Sequence, residues 1–363
     1  MLERRLKNGN PIVRAMHSPT NDQLLLKSSA IDEKYYLNLR DLEFFTKIGS
    51  GQFGSVQMGI LKKVDHESCV SGTMVAIKSN QVSRNRTELE MLEEEVKMLA
   101  SMKPHPNILP LIGTVINDIR RSGMLYIVTP LAKYRDLRTF LISKKPSPHN
   151  YENIGKCEKD KLMNADDVTL TKSDLTVFGL QLADGMEFLA RVPCVHRDLA
   201  CRNILVTENK TIQIGDFGLA KKFNEKYCYK TQKGIYLPRP EKWMPLESIN
   251  NDIFTEKSDV YSFGICLFEI FSFGKTPYPE VCGGRIASYL ENGGRNEKPK
   301  YCTDIEYALM LKCWMNAPED RPTFHECLQF FQELTSNSVG FLFYCVIATM
   351  FIFQLIAEDE KSS

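Results

Sequence analysis

Residues 195–206 read VHRDLACRNILV, a short polar run between two apolar flanks. The pattern predicts a loop held by strands or strand-like segments, with Asp198 and Asn203 inside the loop. A second acid, Asp216, follows another apolar run in residues 214–218 (IGDFG). One carboxylate can accept a proton from a hydroxyl group, while an amide and a second carboxylate offer the oxygen ligands that Mg²⁺ prefers. These groups together suit phosphoryl transfer, in which positioning and charge neutralisation supply most of the catalysis.

The order and spacing of the two segments resemble the catalytic loop and the metal-binding loop of eukaryotic protein kinases. The resemblance extends from about Leu42 to Leu334. It implies a two-lobed α+β fold with a small β-rich lobe that carries one regulatory helix, a larger and mainly helical lobe, and Mg·ATP in the cleft. It also implies that Asp198 orients the acceptor hydroxyl and accepts its proton, while Asn203 and Asp216 hold Mg²⁺.

The segment 48–56 (IGSGQFGSV) fits the glycine pattern G-x-G-x-x-G-x-V. Glycines let backbone amides approach phosphate oxygens without interference from a Cβ atom. A dinucleotide-binding fold would require a helix directly after the glycines, but residues 55–60 (SVQMGI) read as a continuing strand, which favours a kinase hairpin. The resemblance assigns to nucleotide binding Ile48, Gly49, Ser50, Gly51, Gln52, Phe53, Gly54 and Val56.

Residues 74–78 (MVAIK) predict an apolar strand that ends in a cation. By the resemblance, Lys78 contacts the α- and β-phosphates of ATP, and Ala76 belongs to the nucleotide site. Residues 88–102 have apolar positions at helical spacing, and the family pattern selects Glu95 as the partner of Lys78 in preference to its acidic neighbours.

Residues 124–132 (MLYIVTPLA) resemble the strand that leads into the hinge between kinase lobes. Thr129 is expected to line the back of the adenine pocket, and its small size implies an accessible rear pocket. Leu131 and Ala132 are expected to offer backbone groups to the base, while Pro130 lacks an N–H and can offer only its carbonyl.

Arg202, four residues after Asp198, matches the form found in tyrosine kinases, whereas serine/threonine kinases usually place a Lys two residues after the Asp. Arg202 is therefore expected to help place a tyrosine acceptor, with serine/threonine specificity as an alternative. The resemblance is to split receptor tyrosine kinases of the fibroblast and platelet-derived growth factor receptor type. Those enzymes carry an insert where residues 144–167 lack any apolar period, a composition that indicates an exposed segment.

Residues 221–230 (KKFNEKYCYK) place basic residues around Tyr227 and Tyr229. A phosphate added to either tyrosine would find cationic partners, including Arg197, and would order the loop. Both tyrosines are therefore predicted to be regulatory. Asp259, at the start of an apolar helix, is expected to brace the catalytic loop from beneath.

Residues 237–247 depart from the family pattern in two ways. The family's Leu-Pro-x-Lys-Trp is two residues longer in residues 237–243 (LPRPEKW), and its Ala-Pro-Glu reads PLE in residues 245–247. Glu247 is still expected to pair with Arg321. The altered region leaves open a second hypothesis, a catalytically weak kinase-like scaffold that recruits partners through phosphotyrosines.

Residues 339–357 carry no charge over nineteen positions. A helix of that length spans about 28 Å, close to the hydrocarbon thickness of a bilayer. The stretch predicts a membrane anchor, with a packed terminal helix or a gene-model error as alternatives. The kinase domain would then be membrane-associated and face the cytoplasm; a soluble cytoplasmic protein is the alternative.

The domain organisation follows from these segments. We expect a flexible juxtamembrane-like arm in 1–41, the small lobe and hinge in 42–132, the large lobe in 133–334 with its activation segment in 216–247, and a tail in 335–363.

Composition restricts the partners. The chain has 46 basic and 45 acidic residues, which argues against nucleic acid as a partner. Eleven cysteines without C-x-x-C spacing favour reduced thiols. The expected function is transfer of the γ-phosphoryl group of ATP to protein tyrosines, with protein substrates and phosphotyrosine-binding adaptors as partners.

Overall fold

The architecture follows from a computed structural model, which describes residues 31–51, 54–64, 70–80, 86–116, 123–146, 170–222, 229–230 and 239–336. The elements of its amino-terminal lobe are β1 (Leu42–Gly51), β2 (Gly54–Val64), β3 (Val70–Ser79), α1 (Arg86–Ser101), β4 (Gly113–Val115) and β5 (Tyr126–Pro130). The five strands form an antiparallel sheet of order β1-β2-β3-β5-β4, and α1 connects β3 to β4.

Strand β3 shows why this sheet can carry both a core and a site. Val75 and Ile77 are fully buried in a cluster with residues of the neighbouring strands. Successive side chains of a strand point to opposite faces. Ala76 and Lys78 therefore face the cleft, where both line a cavity.

The carboxyl-terminal lobe is mainly helical and encloses the catalytic segments. Its elements are α2 (Leu137–Ser143), α3 (Lys172–Arg191), β6 (Cys194–Val195), β7 (Ile204–Val206), β8 (Ile212–Ile214), β9 (Lys221–Lys222), β10 (Tyr229–Lys230), α4 (Leu246–Asn251), β11 (Ile253–Phe254), α5 (Glu256–Phe271), α6 (Ile286–Glu291), α7 (Asp304–Cys313) and α8 (Phe324–Ser336). The two-lobed α+β prediction is confirmed.

Helix α5 is the centre of this lobe. Every residue from Ser258 to Phe271 is buried, as expected for a helix that is apolar on all sides. Thr255 caps its amino end by accepting a hydrogen bond from the Ser258 N–H. Because α5 is fixed on every side, groups at its start can hold the catalytic loop in one place.

The predicted ion pair between Glu247 and Arg321 is present and bidentate. Arg321 Nη1 lies 2.6 Å from Glu247 Oε1, and Nη2 lies 3.0 Å from Oε2. The Arg321 side chain is only 1% exposed and also donates to the carbonyl of Met315. The segment around Pro245 and Leu246 thus keeps its anchor despite its altered sequence.

Several predicted segments fall outside the described residues. These are the arm up to residue 30, most of the insert (147–167), and the apolar stretch 339–357. Within the described part of the chain, none of the helices combines the length and the apolar character that a membrane span needs. The limits of the predicted domains stay predictions.

Candidate active site

A cavity of about 1230 Å³ opens between the two lobes. The residues that the sequence assigned to nucleotide and metal binding meet in its walls. Those that line it are Ile48, Gly49, Ser50, Gly54, Val56, Ala76, Lys78, Glu95, Thr129, Pro130, Leu131, Ala132, Asp198, Arg202, Asn203 and Asp216. Gly51 ends β1, while Gln52 and Phe53 lie outside the described residues.

The glycine-rich segment is a hairpin. Strand β2 begins at Gly54 and pairs back onto β1, with Gly51 opposite Gly54. Gly54 has φ +119°, and a Cβ atom at this position would lie 2.1 Å from the carbonyl oxygen of Ser79. Only glycine fits there. The prediction of a continuing strand in place of a helix is confirmed.

Lys78 lies between two carboxylates. Its Nζ is 2.7 Å from Glu95 Oε2 and 2.7 Å from Asp216 Oδ1, so the structure selects Glu95 from the run of three acids. Burial alone would lower the pKa of Lys78, but the charges of Asp216 and Glu95 raise it, and the amine is charged. Burial opposes ionisation of Asp216 too, yet Lys78 lowers its pKa, whereas burial dominates at Glu95 and raises its pKa.

The backbone around Asp216 turns its carboxylate into the cleft. Asp216 has φ +57°, a left-handed conformation that Asp tolerates better than most residues. Phe217, which follows, is fully buried, and its ring centroid lies 5.1 Å from that of His196. The Phe217 backbone N–H opposes the rise in the pKa of Glu95 that burial causes. Packing of the phenyl ring therefore fixes the acid on one side and supports the helix α1 on the other.

The catalytic loop holds Asp198 through two neighbours. Arg202 Nη2 donates to Asp198 Oδ1, and Asn203 Nδ2 donates to Oδ2 at 2.8 Å. Burial raises the pKa of Asp198 to about 6, and the charge of Arg202 opposes this rise. Asp198 is therefore ionised at neutral pH and basic enough to take up a proton.

Asp259 at the start of α5 braces this loop, as the sequence predicted. Its carboxylate accepts hydrogen bonds from the backbone N–H of His196 at 2.6 Å and of Arg197 at 3.0 Å. Arg197 has φ +70°, so the acceptor also stabilises a backbone conformation that is costly for a non-glycine residue. Burial raises the pKa of Asp259 to about 6.

His196 joins the two loops, a role that sequence reasoning missed. Its Nε2 lies 3.0 Å from the carbonyl oxygen of Gly215, and burial lowers the pKa of the imidazole. A neutral ring at this position donates to the carbonyl beside Asp216. A lone His before Arg-Asp gives no spacing signal for such a contact.

Trp243 and Glu269 also escaped sequence reasoning. The Arg202 guanidinium lies 4.6 Å from the centre of the Trp243 ring, and Trp243 Nε1 donates to Glu269 Oε2 at 2.9 Å. The Cys201 N–H donates to the same oxygen at 3.0 Å. This arrangement fixes Arg202 through residues that lie far apart in the chain, so no local pattern reveals it.

The ligand atoms of Cys201, Cys266 and Glu269 lie within 4.8 Å of one another. Burial raises the pKa of both thiols. Since metals bind the thiolate, these two cysteines pack as neutral core groups.

Two side chains with oxygen atoms suited to a hard divalent cation, Asn203 and Asp216, line the cavity where the two loops adjoin. The Gly215 N–H donates to the Asn203 carbonyl at 2.9 Å, which places Asn203 beside Asp216. The Nδ2 atom of Asn203 donates to Asp198, so the amide oxygen of Asn203 points away from Asp198. A carboxylate and an amide oxygen fit Mg²⁺ or a similar ion.

The predicted regulatory tyrosines are only partly described. Tyr229 lies in β10 and pairs with Phe254 of β11, whereas Tyr227 lies outside the described residues. The Arg197 guanidinium lies 4.4 Å from the centre of the Phe254 ring. The backbone of Tyr229 is thus held near the predicted cationic partner.

The brace gives a stability prediction. Asp259→Ala leaves two buried N–H groups without their acceptor, at about 1–3 kcal/mol each, so we expect a large loss of unfolding free energy in urea. Asp259→Asn keeps one acceptor oxygen and should lose less. Asp304→Ala, at an exposed carboxylate, is the control and should unfold like the wild type. A wild-type midpoint for Asp259→Ala would show that the carboxylate does not hold the loop.

Comparisons with known proteins agree with this geometry. A family model described as protein tyrosine and serine/threonine kinase matches residues 42–331. The tyrosine-protein kinase receptor ver-3 of Caenorhabditis elegans is 41% identical over 84% of this chain and 27% of its own length. The receptor-like tyrosine-protein kinase kin-15 of the same species is 35% identical over 97% of this chain and 74% of its own length.

Fibroblast growth factor receptor 1 of Xenopus laevis is 36% identical over 80% of this chain. The chain spans 34% of that receptor, as it spans 27% of ver-3. The family implies ATP as co-substrate, a divalent metal and protein substrates. The chain belongs to the protein kinase family and, within it, to the tyrosine kinase group, alongside receptor tyrosine kinases.

Proposed function

We propose that the chain transfers the γ-phosphoryl group of Mg·ATP to tyrosine hydroxyl groups of proteins. One observation carries this proposal: Lys78 lies 2.7 Å from both Glu95 and Asp216 in the cavity that also holds Asp198. In protein kinases the ion pair between the strand lysine and the helix glutamate, and the metal-binding aspartate, must both be in place for transfer.

The nucleotide would lie between the glycine hairpin and the hinge. Ile48, Val56 and Ala76 supply apolar walls of the cavity, and Leu131 and Ala132 border it from the hinge. Lys78 would bind the phosphates. Mg²⁺ held by Asn203 and Asp216 would neutralise negative charge on the phosphate oxygens.

Asp198 would accept the proton of the attacking hydroxyl. Its pKa of about 6 is close to the working pH, which is where a general base is most effective. Arg202 and Asn203 hold both carboxylate oxygens, so the carboxylate presents one orientation to the acceptor. Preorganised positioning of this kind supplies a large part of the rate enhancement.

Tyrosine as the acceptor is supported by Arg202 and its stacking on Trp243. Arg239 and Pro240, which lie in the segment that is two residues longer than the family pattern, line the same cavity. Arg239 Nη2 lies 2.9 Å from Asp252 Oδ1. The longer segment is therefore fixed to the end of α4, and we propose that it shapes the surface on which a peptide substrate lies.

Partners and location extend this proposal. Phosphorylated Tyr227 and Tyr229 would order the activation segment, and phosphotyrosines would recruit adaptor proteins. The names of the relatives describe receptors or receptor-like kinases and support association with a membrane. We propose that the kinase domain faces the cytoplasm. The apolar stretch 339–357 is our candidate for the anchor.

Asp198→Asn tests the catalytic assignment. The change keeps the shape but removes the base, so phosphorylation of a tyrosine peptide should fall by about a hundredfold or more, while Mg·ATP affinity measured by calorimetry stays near the wild-type value. Asp304→Asn is the matched control. Wild-type turnover in Asp198→Asn would refute the role of this carboxylate.

The same assay distinguishes the alternative functions. A wild-type protein without Mg²⁺-dependent transfer would favour the scaffold hypothesis. Phosphoserine in place of phosphotyrosine would favour serine/threonine specificity.

The raised pKa of Asp198 predicts a pH dependence. The Asp198 carboxyl group has a pKa of about 6, so it becomes protonated below this pH and can no longer accept a proton. The value of kcat/KM should therefore decline as the pH falls through about 6. Asp259 has a pKa in the same range, so thermal unfolding must be followed over the same pH series to show that the protein stays folded where kcat/KM declines. A kcat/KM that stays constant from about pH 5 to about pH 8 would contradict the assignment.

A further inference from the structure

Arg135, just after the hinge, has a backbone conformation that disfavours its side chain. Its φ is +63°, in the left-handed region that glycine occupies without penalty and other residues rarely adopt. The backbone is fixed from both directions, because the Arg135 N–H donates to the Ala132 carbonyl at 3.3 Å and its carbonyl accepts from the Val206 N–H at 2.9 Å. A large side chain retained at such a position points to a role for that side chain.

The Arg135 guanidinium reaches the opposite lobe. Its Nη2 donates to the carbonyl oxygen of Ile48 at 2.8 Å, across 87 positions of sequence. Ile48 lies at an irregularity of β1, where Lys47 pairs with Gln57 and Gly49 with Val56 while Ile48 is skipped. A bulge residue of this kind is left out of the strand ladder. Arg135 thus supplies a charged donor to a carbonyl at an irregularity of the strand ladder.

The contact spans the cavity at its exposed side. Arg135 and Ile48 both line the cavity, Arg135 is exposed, and Ile48 directly precedes Gly49 of the glycine hairpin. The two walls cannot separate at this point unless the hydrogen bond breaks. We propose that Arg135 is a latch residue that holds the glycine hairpin against the hinge and limits the rate at which nucleotide enters and leaves, an inference that rests on the proposed binding of ATP.

A latch has a kinetic signature that distinguishes it from a nucleotide-binding residue. The proposed latch closes both with and without a bound nucleotide, so it must open for entry as well as for exit. Removal of the bond raises the association rate and the dissociation rate of the nucleotide by the same factor. The dissociation constant is therefore unchanged. From the strength of a hydrogen bond with one charged partner at an exposed site, both rates should rise about three- to tenfold.

Arg135→Gly and Arg135→Ala are the informative variants. Both remove the guanidinium, but only glycine also suits φ +63°. The Gly variant should therefore melt at a higher temperature than the Ala variant, while both should show the same faster nucleotide exchange. Arg138→Ala is the matched control, because this substitution removes the same charge. Arg138 lies in the next helix and donates to Thr276 Oγ1.

The measurement is stopped-flow association and dissociation of a ribose-labelled fluorescent ADP with Mg²⁺ on the full chain, with calorimetry of unlabelled ADP for the dissociation constant. We expect both rates to rise in the two Arg135 variants, an unchanged dissociation constant, and wild-type values for Arg138→Ala. Unchanged rates would overturn the latch. A weaker dissociation constant with an unchanged association rate would overturn it too, since Arg135 would then contact the nucleotide. Failure of the wild type to bind ADP would instead remove the proposed function, and the latch with it.

Discussion

The position of Lys78 between Glu95 and Asp216 is the interaction on which the site depends. One ammonium group brings together a strand, a helix and the loop that carries the metal-binding acid, with 2.7 Å contacts to each carboxylate. Each of these charges is largely removed from water, so each needs the others. Removing one partner of a buried pair typically costs about 3–5 kcal/mol because it leaves an uncompensated charge. The group of Lys78, Glu95 and Asp216 contains two carboxylates and one ammonium group, a balance that suits the binding of a divalent cation beside it.

A second set of contacts fixes the position of the catalytic loop relative to Lys78, Glu95 and Asp216. Helix α5 is buried throughout, and its Asp259 holds the backbone on which Asp198 lies. His196 then connects that backbone to the carbonyl next to Asp216. The site is thus supported by a helix that is buried from Ser258 to Phe271, and such support helps to keep catalytic groups within the narrow geometry that their chemistry requires.

Three of the seven described non-glycine residues with positive φ lie on segments around the cavity. Arg135, Arg197 and Asp216 all have positive φ, and all three lie on segments that border the site. Such conformations persist only where the surroundings enforce them. At Asp216 the conformation aims the acid, at Arg197 it is held by Asp259, and at Arg135 it carries a side chain across the cleft. At these three residues an unfavourable backbone conformation positions a charged side chain.

Sequence reasoning reached the fold and much of the cavity because kinase motifs are local. A glycine pattern followed by a strand, a lysine at a strand end and an Asp-x-x-x-x-Asn spacing each depend on neighbouring residues. Glu95 could be chosen from three adjacent acids only through the family pattern. Trp243, Glu269 and His196 could not be found, because their contacts join segments that are distant in sequence. The strain at Arg135 was equally hidden, since a backbone angle has no signature in composition. The regulatory tyrosines and the membrane anchor stay predictions.

The most direct test is phosphorylation of a tyrosine peptide by the wild type and by Lys78→Met, at equal protein concentration and with both proteins shown to be folded by thermal unfolding. The ion arrangement around Lys78 predicts Mg²⁺-dependent transfer by the wild type and a loss of about a hundredfold or more in the variant. Transfer by Lys78→Met at the wild-type rate would contradict the account.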